Sequence, residues 1–245
     1  MLFANIATPV NSTGSTLMKI KAVLFDLDET VLDRSKTLED YLAWQSNEQL
    51  SLPPEECEKY TQRFIELDDN GQVHKEEVYA ALVKELGIQD YTSLELTQTY
   101  TEFLRRFTVE KRHITESISV LKSQGIKIGL ISNGQSPFQE ENLESLGLTE
   151  FFDTILVSES VGLRKPDKKI FELACNNLDV DPAECIFVGD HPITDIEGAN
   201  NAGMISVFVP TRRYPGCAIA NHVCRDMRDL PSVVLEAGVV IDAGQ

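Results

Sequence analysis

Lys19-Ile-Lys-Ala-Val-Leu-Phe25 runs directly into Asp26-Leu-Asp-Glu-Thr30, and the reading of this junction decides the fold. The β-branched and aromatic content up to Phe25 reads as a buried strand. Side chains at i and i+2 of an extended segment share a face, so Asp26 and Asp28 stand together where the strand ends. Crowded carboxylates repel unless a proton or a cation lies between them. A hard divalent ion with oxygen ligands meets that need, and Mg²⁺ is the expected one. Acids and Thr also populate solvated turns after strands, so the rest of the chain has to discriminate.

Outward from the junction, the apolar runs Ala22–Phe25, Ile126–Ile131, Thr154–Val157, Cys185–Val188 and Ile205–Val209 are each followed by polar or Gly-rich residues. Helical patterns lie between them at Ile114–Ser123, Pro137–Leu146, Asp167–Leu178 and Ile193–Asn201. For the second of these, Ser136 is expected as N-cap, Pro137 at N1, Gln139 at N3 and Gly147 past the end. A weaker strand around Ala220–Val223 and a helix near Leu230–Ala237 close the chain. Strands alternating with helices predict an α/β protein with a parallel sheet covered on both faces.

The stretch from about Ser35 to Glu110 breaks the rhythm, with no convincing strand and several amphipathic helices. Val78, Ala81, Leu82 and Leu86 fall on one helical face that ends at Gly87. Tyr41, Trp44, Tyr60, Phe64, Phe103 and Phe107 are expected inside a helical bundle. Inserted directly after the two-acid loop, such a module can sit over the strand ends as a lid. The boundaries are therefore a loose tail over 1–17, a core of 18–34 plus 111–245, and a helical insertion over 35–110.

The 245 residues suffice for a core plus an insertion, and 42% hydrophobic with 25% charged content is ordinary for a globular protein. A net charge of −17 argues against nucleic acid as a partner, because phosphate backbones demand clustered Lys and Arg. No apolar stretch reaches the length that spans a bilayer. The first residues lack the pattern of a secretion signal or transit peptide. Five cysteines without a regular framework fit a reducing compartment, and a cytoplasmic location is expected.

In open α/β sheets ligands bind beyond the carboxyl ends of the strands. The residues following each run are Asp26, Asp28 and Thr30; Ser132, Asn133 and Gly134; Arg164, Lys165 and Pro166; and Gly189, Asp190, His191 and Asp195. Two acids, a hydroxyl with an amide, a lysine and two more acids thus converge on one rim. Here the chain resembles the haloacid dehalogenase-like (HAD) hydrolase superfamily. Asp26-Leu-Asp-Glu-Thr30 is similar to its first motif, Ile131-Ser-Asn133 to the hydroxyl motif, Lys165 before Pro166 to the lysine motif, and Gly189-Asp190 with Asp195 to the closing acidic motif. The resemblance covers residues 19 to about 235. It implies a Rossmann-like core, a C1-type helical cap in the insertion and, with Asp at both acidic positions of the first motif, Mg²⁺-dependent transfer of a phosphoryl group to water.

The residue types fit that chemistry. Asp26 would be the nucleophile, giving an aspartyl-phosphate that water hydrolyses. The ion, held by Asp26, the Asp28 backbone carbonyl and Asp190, would combine with Lys165 to let two anions approach in an acidic protein. Asp28 would protonate the leaving oxygen and later take a proton from water. Ser132, the amide of Asn133 and Lys165 would hold phosphoryl oxygens. Asp195 would orient ion-bound water or Lys165, with a plain helix-start acid as the competing reading. Thr30 would fix the loop.

Weaker signals carry less. His191 is read as facing the ion's surroundings or as packing, and Arg164 as attracting phosphate or as solvated charge. Cys217, His222 and Cys224 match no standard zinc spacing and are read as structural. The loop Asp68-Asp-Asn-Gly-Gln-Val73 joins two insertion helices and either reaches the site to choose the substrate or is an exposed turn; its acids are too few for an EF-hand. The expected function is a Mg²⁺-dependent phosphatase for a small phosphorylated metabolite such as a sugar phosphate, a nucleoside monophosphate or a phosphoglycolate-like compound. The rivals are a phosphomutase, a 2-haloacid dehalogenase, against which Asp28 speaks, and a non-catalytic binding or regulatory protein.

Overall fold

The computed structural model describes residues 19–238, so the tail expected over 1–17 lies outside the described residues. The strands are β1 (Ala22–Phe25), β2 (Lys127–Ser132), β3 (Thr154–Val157), β4 (Cys185–Gly189), β5 (Ile205–Phe208) and β6 (His222–Val223). They form one sheet in the order β3-β2-β1-β4-β5-β6, every pairing parallel. The first strand of the chain is therefore central, with Phe25 opposite Leu130 of β2 on one side and Val188 of β4 on the other. The order reverses at β1, which is where a doubly wound sheet opens a crevice at its strand ends.

Alternate residues of each strand feed opposite faces. Val23, Phe25, Ile128, Leu130, Ile186 and Val188 pack in one buried cluster with Ile114, Ile118 and Leu121 of α5 (Ile114–Ser123) and Leu230 and Val234 of α10 (Leu230–Ala237). Ala22, Leu24, Ile131 and Phe187 pack on the other face against Ile170, Phe171, Ala174 and Leu178 of α8 (Lys168–Leu178). The α/β sandwich expected from the sequence is what forms. Gly129 in β2 marks the tightest approach, since a Cβ there would lie 2.6 Å from Leu24 Cδ2.

The smaller helices are α6 (Phe138–Ser145), α7 (Ser158–Val161) and α9 (Gly198–Asn201), the last entered through a wide π-helical turn over Pro192–Glu197. The start of α6 corrects one expectation. Its N-cap is Pro137, and Ser136 donates instead to Glu140 Oε1 at 2.7 Å, so no Ser capping box forms.

Between Arg34 and Arg106 the described structure is helical: α1 (Arg34–Trp44), α2 (Pro54–Asp68), α3 (Lys75–Leu86) and α4 (Ser93–Phe103), with shorter turns between them. These helices bury their own cluster, in which Tyr41, Tyr60, Phe64 and Tyr79 are inaccessible to solvent. Gln45 Oε1 accepts from the hydroxyls of Tyr60 at 2.8 Å and Tyr79 at 2.9 Å, which satisfies the polar tips of two buried rings. Trp44 stacks on Phe103 with centroids 5.2 Å apart. In α3 the buried face is Val78, Tyr79 and Leu82; Leu86, expected on that face, is 39% exposed because the helix ends at left-handed Gly87 beyond its neighbours.

The chain crosses between sheet and insertion twice, and the crossings pair with each other. Asp33 N donates to Val109 O and Lys111 N to Val31 O, both at 2.8 Å. Glu29, at φ 62°, ties the two together: its carboxylate accepts from Ser35 N at 2.7 Å and Ser35 Oγ at 2.5 Å, and meets Lys111 Nζ at 3.2 Å. Among the described residues no helix is long and apolar enough to cross a membrane. All five cysteines are free thiols, and Cys224 donates to Asp226 O at 3.1 Å.

Candidate active site

The two central strands deliver the acids. Asp26 follows β1 and its N–H donates to Val188 O at 2.9 Å, which holds the tips of β1 and β4 side by side and brings Asp190, just after β4, next to Asp26. Carboxylate oxygens of Asp26, Asp190 and Asp195 all lie within 4.8 Å of one another, and all three residues are buried. Lys165, 2% exposed, inserts its ammonium among them, 2.6 Å from Asp26 Oδ1 and 2.8 Å from Asp195 Oδ1. Asp195 also accepts from His191 N at 2.9 Å. Asp195 thus meets both of its readings, pairing with Lys165 and standing as an acid in the first turn of Pro192–Glu197.

Burial first, and then mutual repulsion, sets the protonation of the cluster. Burial pushes the Asp26 carboxyl up to about 8, with Lys165 opposing and Asp195 and Asp28 reinforcing the rise. Burial, then Asp26 and Asp195, push Asp190 up to about 9. Burial alone would lower Lys165, but Asp195 and Asp26 overcome it and hold the ammonium above its ordinary value. Three buried carboxyls sharing one ammonium hold on to protons, and a divalent cation among them would favour their ionised forms. The donors are hard oxygens, so the residues present fit Mg²⁺. The carboxylate cluster contains Asp195 in place of the Asp28 side chain, so Asp28 could reach such an ion only through its main chain.

Asp28 turns elsewhere. Its Oδ2 accepts from Gln139 Nε2 at 2.8 Å, and Gln139 is itself buried in the first turn of α6. Burial raises the Asp28 carboxyl, while Arg34 and the Gln139 hydrogen bond pull it back. Gln139 was expected to cap its own helix. The signal that it does more is a buried amide on the helix that follows Ser132 and Asn133.

Asn133 clamps the lysine segment: its Nδ2 donates to Lys165 O and its Oδ1 accepts from Lys165 N, both at 2.9 Å. Asn133 and Gly134 line the cleft, whereas Ser132, expected to hold phosphoryl oxygens, closes β2, is 1% exposed and is not part of the lining. Thr30 is fully buried and its hydroxyl has no partner among the described residues, so the backbone contacts of Val31 and Leu32 to Leu27 O fix the loop instead. His191 caps the turn after β4, accepting from Ile193 N and Thr194 N at 3.2 Å, and its Nε2 lies 3.2 Å from Tyr214 OH.

Above these groups, the sheet rim and the helical insertion enclose a cleft of about 1580 Å³. Asn70, Gly71, Gln72 and Val73 line it, so the loop over 68–73 does reach the site. Asp69 in that loop pairs with Arg213 of the sheet domain at 2.7 Å. Arg164 lines the same cleft.

Residues 23–209 match the family of the haloacid dehalogenase-like hydrolases. The chain belongs to that family. Among its relatives, a glyceraldehyde 3-phosphate phosphatase from Methanopyrus kandleri is 30% identical over 203 residues, covering 80% of this chain and 86% of that protein. A phosphoserine phosphatase from Thermus thermophilus is 30% identical over 135 residues, 55% of this chain and 54% of that one. A crystal structure of the HAD-hydrolase YfnB from Bacillus subtilis bound to magnesium is similar with a TM-score of 0.72 and 25% identity, covering 88% of this chain and 99% of that one. Asp26 and Asp190 follow directly after β1 and β4, and Ser132 closes β2, so the three stand at neighbouring strand tips.

Proposed function

We propose that the protein is a cytoplasmic, Mg²⁺-dependent phosphatase that hydrolyses a small phosphorylated metabolite through an aspartyl-phosphate. The observation that carries this reading is the placement of Asp26. Its carboxylate lies 2.6 Å from a buried ammonium and beside two further acids, in a cleft that Asp28 also lines. The names of the relatives, phosphatases of glyceraldehyde 3-phosphate and of phosphoserine, support the substrate class.

Asp26 Oδ attacks phosphorus, and the bond from phosphorus to the ester oxygen breaks as Asp28 gives that oxygen a proton. Asp28 then removes a proton from water, whose oxygen attacks the aspartyl-phosphate; the bond to Asp26 breaks and inorganic phosphate leaves. Lys165, the Asn133 backbone amide and the Ser132 hydroxyl hold the phosphoryl oxygens as charge redistributes. Gln139 keeps the Asp28 carboxyl aimed into the cleft. Mg²⁺, bound by Asp26, Asp190 and the Asp28 carbonyl, would supply the positive charge that lets an anionic ester approach an anionic nucleophile. The helical insertion would limit substrate size and exclude bulk water on closing.

The test is phosphate release across sugar, nucleotide and short-chain acid phosphates, with Mg²⁺ and with EDTA. Wild-type protein should release phosphate only with Mg²⁺. Asp26→Asn should fold, retain its melting temperature to within a few degrees and release none. Release by Asp26→Asn, or release unaffected by chelation, would defeat the mechanism.

A further inference from the structure

The insertion side of the cleft holds more positive charge than the protein neutralises. Arg34 opens α1 and Lys75 opens α3, and both reach one carboxylate. Arg34 Nη2 is 2.6 Å from Asp68 Oδ2, and Lys75 Nζ is 2.5 Å from Asp68 Oδ1. The Arg34, Lys75 and Asp68 side chains are 13%, 17% and 1% exposed. Two cations therefore share one anion at this spot, and while Asp28 beside Arg34 carries the proton it gives to the leaving oxygen, one positive charge is in surplus. Lys75 also stands 5.4 Å from the centre of the Tyr100 ring, a second sign that its ammonium is held in place rather than loose in solvent. Arg34, Lys75 and Tyr100 line the same cleft as Asp26 and Asp28, and Arg34 is near enough to Asp28 to pull its carboxyl down. Glu76 and Glu77 also border this cleft, but both are exposed, where water screens them.

Water in the open cleft can solvate the surplus charge. A substrate that fills the cleft displaces that water and leaves the charge uncompensated unless the substrate brings an anion of its own. The phosphoryl group is committed to Asp26 and Lys165, which have their own partners, so the matching anion belongs to the other end of the substrate. A surplus of one charge suits a carboxylate better than a dianionic second phosphate, and a guanidinium fork matches carboxylate geometry. We infer that Arg34 and Lys75 form a carboxylate subsite, and that the preferred substrate is the phosphate ester of a hydroxy acid. The inference rests on the phosphatase reading for the reacting end alone.

The experiment compares 3-phosphoglycerate with glyceraldehyde 3-phosphate and glycerol 3-phosphate, esters of the same carbon count with neutral ends. A charge-assisted contact of this kind gives about a ten- to hundred-fold preference in kcat/KM for the carboxylate. That ratio should collapse towards one in Lys75→Gln and return in Lys75→Arg, with melting temperatures recorded for both. Binding of the same three ligands to Asp26→Asn, by calorimetry, reads the subsite without turnover. Equal kcat/KM and equal affinity for the three ligands in proteins with the wild-type Lys75 overturns the inference even if no Lys75 variant folds. So does a preference that survives unchanged in Lys75→Gln, or a stronger preference for fructose 1,6-bisphosphate than for 3-phosphoglycerate. Carboxylate-selective binding with no release from any ester would support the subsite while refuting hydrolysis.

Discussion

Asp68→Asn removes one negative charge from between two cations and changes the shape of the side chain very little. The Asn Oδ1 can still accept from Gly71 N, which Asp68 does at 2.8 Å, so the turn after α2 keeps its hydrogen bond. What is lost is the charge on a residue only 1% exposed. Breaking a buried pair from one side costs about 3–5 kcal/mol. Arg34 and Lys75 retain some access to the cleft, at 13% and 17%, so hydration returns part of that, and about 3 kcal/mol remains. For a chain of this size that corresponds to a fall of roughly 6–12 °C in the unfolding midpoint. Trp44 is the single tryptophan and packs inside the insertion, so its fluorescence follows this region directly. The pH dependence supplies a second reading. Burial acts to raise the Asp68 pKa, but Arg34 and Lys75 overcome it and hold the carboxyl below its ordinary value. An acid with a depressed folded-state pKa contributes fully above its unfolded value and loses that contribution as pH falls through the folded one. The gap between wild type and variant should therefore be complete at pH 7 and narrow only below about pH 4. A gap under about 2 °C at pH 7, or one that is the same at pH 3, refutes the pairing argument.

Gln139→Leu keeps a buried side chain but deletes the donor to Asp28. The expected outcome is a fall of about ten- to hundred-fold in kcat with KM little changed, measured by steady-state phosphate release; an equal loss confined to KM would reassign Gln139 to substrate binding. Gly189→Ala places a Cβ 2.5 Å from Asp195 Oδ2, and Asp195 is buried against Lys165. Chemical denaturation should show a loss of about 1–3 kcal/mol, and activity should fall with it. Wild-type values in both assays would mean that Asp195 can step aside without consequence.

The convergence of the acids and the lysine was legible because each sits where an apolar run gives way to polar residues, whereas Ser132 stays buried at the end of its strand. Strand tips are the one place in such a sheet where sequence order and spatial convergence coincide. Asp26, Lys165, Asp190 and Asp195 meet as that logic requires. Gln139 was misassigned because boundary signals give a residue its place in its own helix and not what its side chain meets; its partner Asp28 is 111 residues away. Glu29 escaped notice for a related reason. It occupies the variable position of its motif, yet it joins both crossings of the insertion through Ser35 and Lys111. Arg34 carried no signal along the chain, and only folding brings it to Asp68, 34 residues on. Leu86 failed in the opposite direction: its spacing was right, but α3 outruns the surface that it packs against.

The central place of β1 has a consequence for how the molecule is made. Ala22 finds its two sheet neighbours at Lys127 and Cys185, so the strand leaves the ribosome long before either exists. The helical insertion, whose contacts lie largely within itself, can assemble during that interval, while Ala22–Phe25, apolar on both faces, waits unpaired. Whatever shields nascent chains from one another has this tetrapeptide as its first charge, and production of soluble protein should respond to the rate at which the message beyond residue 110 is read.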